Sequence, residues 1–239
     1  SGLSPKAVVI VATVRALKYH GGAALSDLQT ENTSALQKGL ANLEKHVETV
    51  QSFGVPPVLA INKFASDTDA EIQVLLDFCK NKGIRGAVST GFAEGGKGCE
   101  QLAKEVVAAV DSCEHDFSPT YSAEDSLLEK MQKITHTVYG GANVELSKKA
   151  VTQLKRFEQL GLHQLPVCMA KTQKSLSDNE SLIGRPEGFT ISIREFEIAA
   201  GAGFIIPIAG NMLRMPGLPG TPAAVNMNID EHGTITGLS

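Results

Sequence analysis

Three short runs of small and branched apolar residues set the terms for any fold this chain can adopt. They are Ala7–Val14 (AVVIVATV), Val58–Ile61 and Ile84–Ser89. Such runs read as strands of a parallel sheet, and the valine-rich first one reads as buried on both faces. Helical segments separate them. In Asn32–Phe53, residues Leu36, Leu40, Leu43, Val47 and Val50 recur at steps of three and four. That spacing makes one apolar stripe, and Gly54 follows as a stop. A second helix is expected from near Ser66, whose hydroxyl can cap it, with Asp67 and Asp69 at the positive end. It runs to about Asn81 and stops at Gly83. A third, Glu100–Ser112, follows the glycine-rich segment Gly91–Gly98. Strand and helix alternating three times is the pattern of a doubly wound parallel sheet, so residues 1–118 are expected to form a Rossmann-like α/β/α unit.

The pattern then changes. Asp111–Tyr121 (DSCEHDFSPTY) is polar and irregular and reads as a connection. Residues 119–239 are expected to form a smaller α+β domain. Its helices are Ser122–Tyr139 and Ser147–Leu160, split by Gly140 and Gly141. Leu165–Ala170 reads as a short strand, Lys171–Gly188 as a long loop, and the alternating Phe189–Arg194 (FTISIR) as a strand. Ala199–Gly210 is apolar and glycine-rich, Met215–Pro222 is rich in Pro and Gly, and Val225–Leu238 reads as a hairpin turning at Glu231–Gly233.

Charge and composition exclude several classes. The net charge is −4 and the 22 basic residues are spread along the chain, which is no footprint for nucleic acid. No apolar run reaches the roughly 20 residues that span a bilayer. The opening segment lacks the small-residue cleavage site of a signal peptide, and a cytoplasmic location is expected. Cys79, Cys99, Cys113 and Cys168 fit neither zinc nor redox spacing, and the histidines show no ligand spacing, so no metal site is expected. Only six residues precede the first strand. A central strand needs partners, which strands missing upstream of Ser1 or strands later in the chain would supply.

The strand ends carry the candidate chemistry, because loops there form the ligand crevice of α/β proteins. Gly91–Gly98 (GFAEGGKG) nearly satisfies the phosphate-loop pattern, but Gly98 stands where Ser or Thr should hold magnesium. A triphosphate cradle, a ligand loop of another kind and a mere tight turn remain open, and the position favours a ligand. Val58–Asp67 (VLAINKFASD) resembles the base-reading motif of GTP-binding proteins, with Ala65 in place of the guanine-reading Asp. Asn62 can bond a purine edge with the Lys63 stem along its face, or cap the following turn. Phe64 and Phe92 fall just past two strand ends and suggest a flat heterocycle held between rings. Arg15, Lys18 and His20 cluster after the first strand, where they can meet an anion or pair with carboxylates.

Val11–Gly22 (VATVRALKYHGG) closely resembles formate–tetrahydrofolate ligase (formyltetrahydrofolate synthetase). Ala60–Ile72, Phe92–Gly98, Leu165–Asp178 (LPVCMAKTQKSLSD), Gly184–Glu195, Ala200–Gly210 and Met215–Ala224 are similar to that family in the same order, across essentially the whole chain. The resemblance implies an enzyme that joins formate to tetrahydrofolate at N10, using ATP with magnesium and passing through formyl phosphate. It implies a phosphate-loop domain upstream of Ser1 on the same polypeptide, and a homo-oligomer when full length. GFAEGGKG then belongs to the adenine and pteridine pocket. That pocket comprises Asn62, Lys63, Ala65, Ser89, Thr90, Ala93, Glu94, Gly95, Gly96 and Lys97, with Phe64 and Phe92 stacking on the folate ring and Arg15 and Lys18 as anion contacts. Phe92 stands where the family commonly has Trp, and Ala65 where Pro is frequent. This chain alone is expected to hold no cofactor tightly and to be inactive; a non-catalytic folate-binding or scaffolding homologue is the alternative.

Overall fold

The computed structural model describes residues 3–114, 117–212 and 220–237. Strand β1 (Val8–Ala12) leads into helix α1 (Val14–His20), and α2 (Thr33–Ser52) leads back to β2 (Pro57–Asn62). Helix α3 (Asp69–Lys82) connects to β3 (Arg85–Ser89). The three strands form a parallel sheet in the order β1-β2-β3, with Ala12 opposite Ile61 and Asn62 opposite Ser89. The expected α/β class is therefore present, and all three strands end at one rim.

Period-two alternation assigns the two faces of β2. Leu59 and Ile61 join Leu17, Leu36, Leu43, Val47, Ile72 and Leu75 in the core beneath α1, α2 and α3. Val58 and Ala60 are also buried, on the opposite face. After the short helical turn α4 (Gly91–Glu94) and a 3-10 turn (Gly95–Cys99), helix α5 (Glu100–Asp111) packs on β3 and β2. It does not shield β1. Val9 and Val11, in register with Val58 and Ala60, are 40% and 66% exposed. The first strand is thus shorter than expected, lies at the edge of the described sheet, and is not buried on both faces.

Three further differences have local causes. Helix α1 is absent from the sequence expectations because its seven residues carry no clear stripe; Thr13 caps it and α2 supports it. The close approach of α1 and α2 needs glycine, since a Cβ on Gly21 would lie 1.7 Å from the Ala35 carbonyl oxygen and one on Gly39 1.9 Å from that of Leu17. Helix α3 starts not at Ser66 but at Thr68, which forms a reciprocal capping box with Glu71. Gly83, in the left-handed region at φ 63°, ends it as expected.

The second core gathers Leu127, Met131, Val144, Phe157, Ile191, Ile193, Phe196 and Ile205. Helix α6 (Leu127–Ile134) passes into a π turn (Thr135–Tyr139), so the expected Ser122–Tyr139 helix is shorter and broken. Strand β4 (Asn143–Leu146), not foreseen, pairs parallel with β5 (Thr190–Ala199). Helix α7 (Lys148–Gln159) lies between them in sequence, and β5 turns back antiparallel into β6 (Phe204–Ala209). The expected strand Leu165–Ala170 is reduced to bridges at Val167 and Ala170. Strands β7 (Asn228–Ile229) and β8 (Ile235–Thr236) form the expected terminal hairpin, of which Leu238 lies outside the described residues. So do residues 213–219, with most of the Pro/Gly stretch, and residues 115–116 of the polar connection. Among the described residues no helix is long and apolar enough to cross a membrane.

Helix α2 joins the two cores. Its second face donates from Asn42 Nδ2 to the Gly184 carbonyl at 2.7 Å and from Lys45 Nζ to that of Thr137 at 2.7 Å. Glu48 accepts both terminal nitrogens of Arg185 at 2.8 Å. A forked pair of this kind fixes orientation as well as distance.

The deepest polar contact is between Lys18 and Glu71, with side chains 1% and 0% exposed and Nζ 2.8 Å from Oε1. Burial pushes the Glu71 carboxyl up, but hydrogen bonds from Lys18 and the Asn32 and Thr68 amides outweigh it and hold the group below its ordinary value. Stability from this source is present above the ordinary Glu range, about 4.3, and is lost as pH falls through the folded-state value. Removing one partner strands a buried charge. Lys18→Met or Glu71→Gln alone should cost about 3–5 kcal/mol in urea denaturation, and the Lys18→Met, Glu71→Leu double variant distinctly less than the sum.

Candidate functional site

The rim at the carboxyl ends of β1, β2 and β3 gathers most of the expected residues, and main-chain bonds hold it. The Lys63 amide donates to the Ser89 carbonyl at 3.0 Å, so the loop after β2 is tied to the end of β3. Asp67 shapes that loop: its Oδ2 accepts the Phe64 amide at 2.8 Å, while its own amide donates to the Phe64 carbonyl at 3.0 Å. The Asn62 side chain therefore does not cap the turn, and it has no hydrogen-bond partner among the described residues. Asp67 is 7% exposed, and its Oδ1 is unpartnered among the described residues.

Arg15, from the first turn of α1, lays its guanidinium carbon 4.3 Å from the centroid of the Phe64 ring. This cation–π contact orients the half-buried ring and holds a positive group above it. No carboxylate among the described residues pairs with Arg15, so its fork of donors is unused. Lys63 lies 3.0 Å from the exposed Asp69 carboxylate, a pair that water screens.

The third part of the rim is Gly91–Gly98, wound into the short helical and 3-10 turns. The Thr90 amide donates to the Gly98 carbonyl at 3.1 Å, and the Thr90 hydroxyl donates to Glu94 at 2.5 Å. Ser89 Oγ lies 3.5 Å from Cys99 Sγ. A Cβ on Gly98 would stand 2.5 Å from Thr90 Oγ1 and 2.6 Å from its carbonyl carbon. There is no room at 98 for the hydroxyl side chain that a phosphate loop uses for magnesium, which counts against a triphosphate cradle. Ala93, Glu94, Gly95, Gly96 and Lys97 are exposed, as is Ala65. Phe92 is 91% exposed, and among the described residues no ring contact joins it to Phe64.

Lys18 stands apart. Of the two roles open to it, the structure shows pairing with a carboxylate. Its ammonium donates to Glu71 and, at 2.9 Å, to the Thr30 carbonyl, so its charge is used inside the fold and is not offered to an anion at the rim. Sequence reasoning missed Asp67 and Glu71 as organisers. Glu71 was legible in the Thr-x-x-Glu spacing of a capping box. Asp67 had only its offset of three from Phe64.

The family model for formate–tetrahydrofolate ligase matches residues 1–239. The formate–tetrahydrofolate ligase of Limosilactobacillus fermentum (strain NBRC 3956 / LMG 18251) is 53% identical over 237 residues, covering 99% of this chain and 43% of that protein. That of Limosilactobacillus reuteri subsp. reuteri (strain JCM 1112) is 50% identical over 238 residues, with 99% and 43% covered. The chain spans less than half the length of these curated relatives.

The glycine geometry gives a test. Gly98→Ala should destabilise the chain by about 1–3 kcal/mol and speed hydrogen exchange at the Thr90 amide. Gly96→Ala, whose Cβ meets nothing within 4 Å, should leave that exchange unchanged.

Proposed function

This chain belongs to the formate–tetrahydrofolate ligase family, and we propose that it forms the folate- and adenine-side part of an ATP-dependent ligase. The whole enzyme would formylate tetrahydrofolate at N10 with formate through formyl phosphate. The carrying observation is the rim itself: Phe64 clamped by Arg15 at the end of β2, with the solvent-facing Phe92 ring on the next loop. Two apolar rings at the crevice of a parallel sheet suit a flat heterocycle better than a phosphate. Backbone open to approach at Gly95 and Gly96, where an added Cβ meets nothing, supports the same reading.

In this reading Phe64 and Phe92 stack on the pteridine ring, and the free amide of Asn62 bonds a heterocycle edge. Arg15 serves two ends at once, since its plane covers Phe64 while its unpaired donors face an anionic substrate group. Lys63, Ala65, Ser89, Thr90, Ala93, Glu94 and Lys97 line the adenine and pteridine loops. ATP brings magnesium with it. The phosphate chemistry falls to the remainder of the longer polypeptide, which we place against the edge of the described sheet at β1 and its exposed valines. The division at residues 118/119, a homo-oligomeric full-length enzyme and a cytoplasmic setting belong to the same proposal.

Titration calorimetry with tetrahydrofolate tests the stacking pocket. Phe64→Ala and Phe92→Ala should each weaken binding about two- to tenfold, and Phe92→Trp should tighten it. Unchanged affinity in both alanine variants would remove the pocket from this rim. Formate- and ATP-dependent turnover should be absent from this chain alone and appear when the remainder of the polypeptide is supplied. Robust ligation by the chain alone would overturn the division of labour.

A further inference from the structure

Where α1, α2 and the π turn meet the segment after Ala170, a small cavity of about 140 Å³ collects positive and hydrogen-donating groups. It is lined by His20, Asn42, His46, Tyr139, Lys171 and Ser175 among others, and no lining residue is a carboxylate. One water occupies ~30 Å³ of liquid, so the space admits several waters or one compact anion. The cavity shares no lining residue with the Phe64 rim. His20 comes from the Val11–Gly22 stretch and Lys171 from Leu165–Asp178, so the cavity joins two segments far apart in the chain.

We propose that this cavity binds a compact inorganic oxyanion, held by His46 and Lys171 as cations and by His20 as a neutral donor. Each group has donor capacity to spare. The Gly184 amide donates to His20 Nδ1 at 3.1 Å, which places the imidazole hydrogen on Nε2. The Lys171 ammonium donates to the Thr172 carbonyl at 2.8 Å and to that of Ser175, leaving a third proton. Asn42 gives one amide proton to Gly184 and keeps another. His46 and the Tyr139 hydroxyl make no hydrogen bond among the described residues.

No carboxylate lines the cavity, and Asp178 acts on Lys171 from outside it. Burial lowers the His20 pKa. Burial, then His20, Lys171 and Lys45, lower that of His46. Burial pulls Lys171 down to about 8, and Asp178 acts the other way. Tyr139, whose ring lies 5.0 Å from the Lys171 ammonium, is pushed up to about 12 by burial and stays neutral. Crowded, partly desolvated cations favour their uncharged forms unless an anion arrives. An oxyanion would supply the missing charge and take up the free donors. Its binding should therefore draw protons onto His46 and tighten as pH falls.

The test is a titration of this chain with inorganic phosphate at constant ionic strength, read by NMR of labelled histidine rings. His20 and His46 signals should shift and saturate, while those of the exposed His232 should not. Affinity should fall as pH rises from about 6 to about 8. His46→Gln and Lys171→Met should each weaken it about tenfold or more, and Lys171→Arg should retain most of it. Folate binding at the rim should be unchanged by His46→Gln, which separates this site from that one. Shifts that stay linear and match those of His232, an adventitious ion only, would overturn the proposal. So would saturable binding that survives both charge-removing variants. Where a variant melts early, phosphate should raise the melting temperature of the wild type more than that of the His46→Gln variant, and equal increments would count against the site.

Discussion

The buried pair of Lys18 and Glu71 is the contact from which the geometry of the strand-end rim follows. Glu71 accepts from Lys18 on α1, from the Asn32 amide at the start of α2, and from the Thr68 amide in its own capping box. Lys18 also reaches the Thr30 carbonyl. One carboxylate and one ammonium thus fasten the beginnings of α2 and α3 to α1. An ion pair removed from water needs partners for its remaining lone pairs and protons, and here three donors converge on Glu71 while Lys18 spends two of its three protons. The consequence is positional. Arg15 lies one turn before Lys18 on α1, and Phe64 lies just before the helix that carries Glu71. Fixing the pair fixes the stack of Arg15 on Phe64.

Helix α2 carries this order into the second half of the chain. Its apolar stripe is spent on the sheet, through Leu36, Leu43 and Val47. Its other face is polar but far from a simple solvated surface. Asn42, Lys45, Glu48 and Thr49 all bond to residues at least 89 positions away. These contacts give the junction direction, whereas apolar burial alone would tolerate sliding. The cationic cavity sits against this same face, and His46 belongs to it.

Periodicity made α2, β2, β3, α3 and α5 legible, because each buries a stripe or a face whose period is set by the backbone. It failed where burial is decided elsewhere. Val9 and Val11 look like core residues, yet they lie opposite a helix that reaches only β2 and β3. Helix α1 and strand β4 are too short to show a period, and they depend on α2 and β5 for support. At the candidate site, residue type and position after a strand located Phe64, Asn62 and Arg15. The same logic misplaced Lys18, because a lysine beside a strand end reads alike whether its partner is a ligand or a glutamate 53 residues away. The cavity at His46 and Lys171 was invisible for that reason: histidines without regular spacing carry no linear signal, and only the folded junction brings them together.

The contrast between satisfied and unsatisfied groups then separates structure from function. Lys18, Glu71 and the Asn32 and Thr68 amides close on one another where both charges are fully buried. At the rim, the Asn62 amide, the Arg15 fork, the Phe92 ring and one oxygen of Asp67 have no partner among the described residues. At the junction, His46 and the third proton of Lys171 are in the same condition. Unused polar capacity in half-buried positions costs free energy in the ligand-free chain. A fold that pairs its deepest charges directly has the means to pair these as well. That it leaves them open at two places, one apolar and aromatic and the other cationic, is the physical ground for assigning the two places ligands of different chemistry.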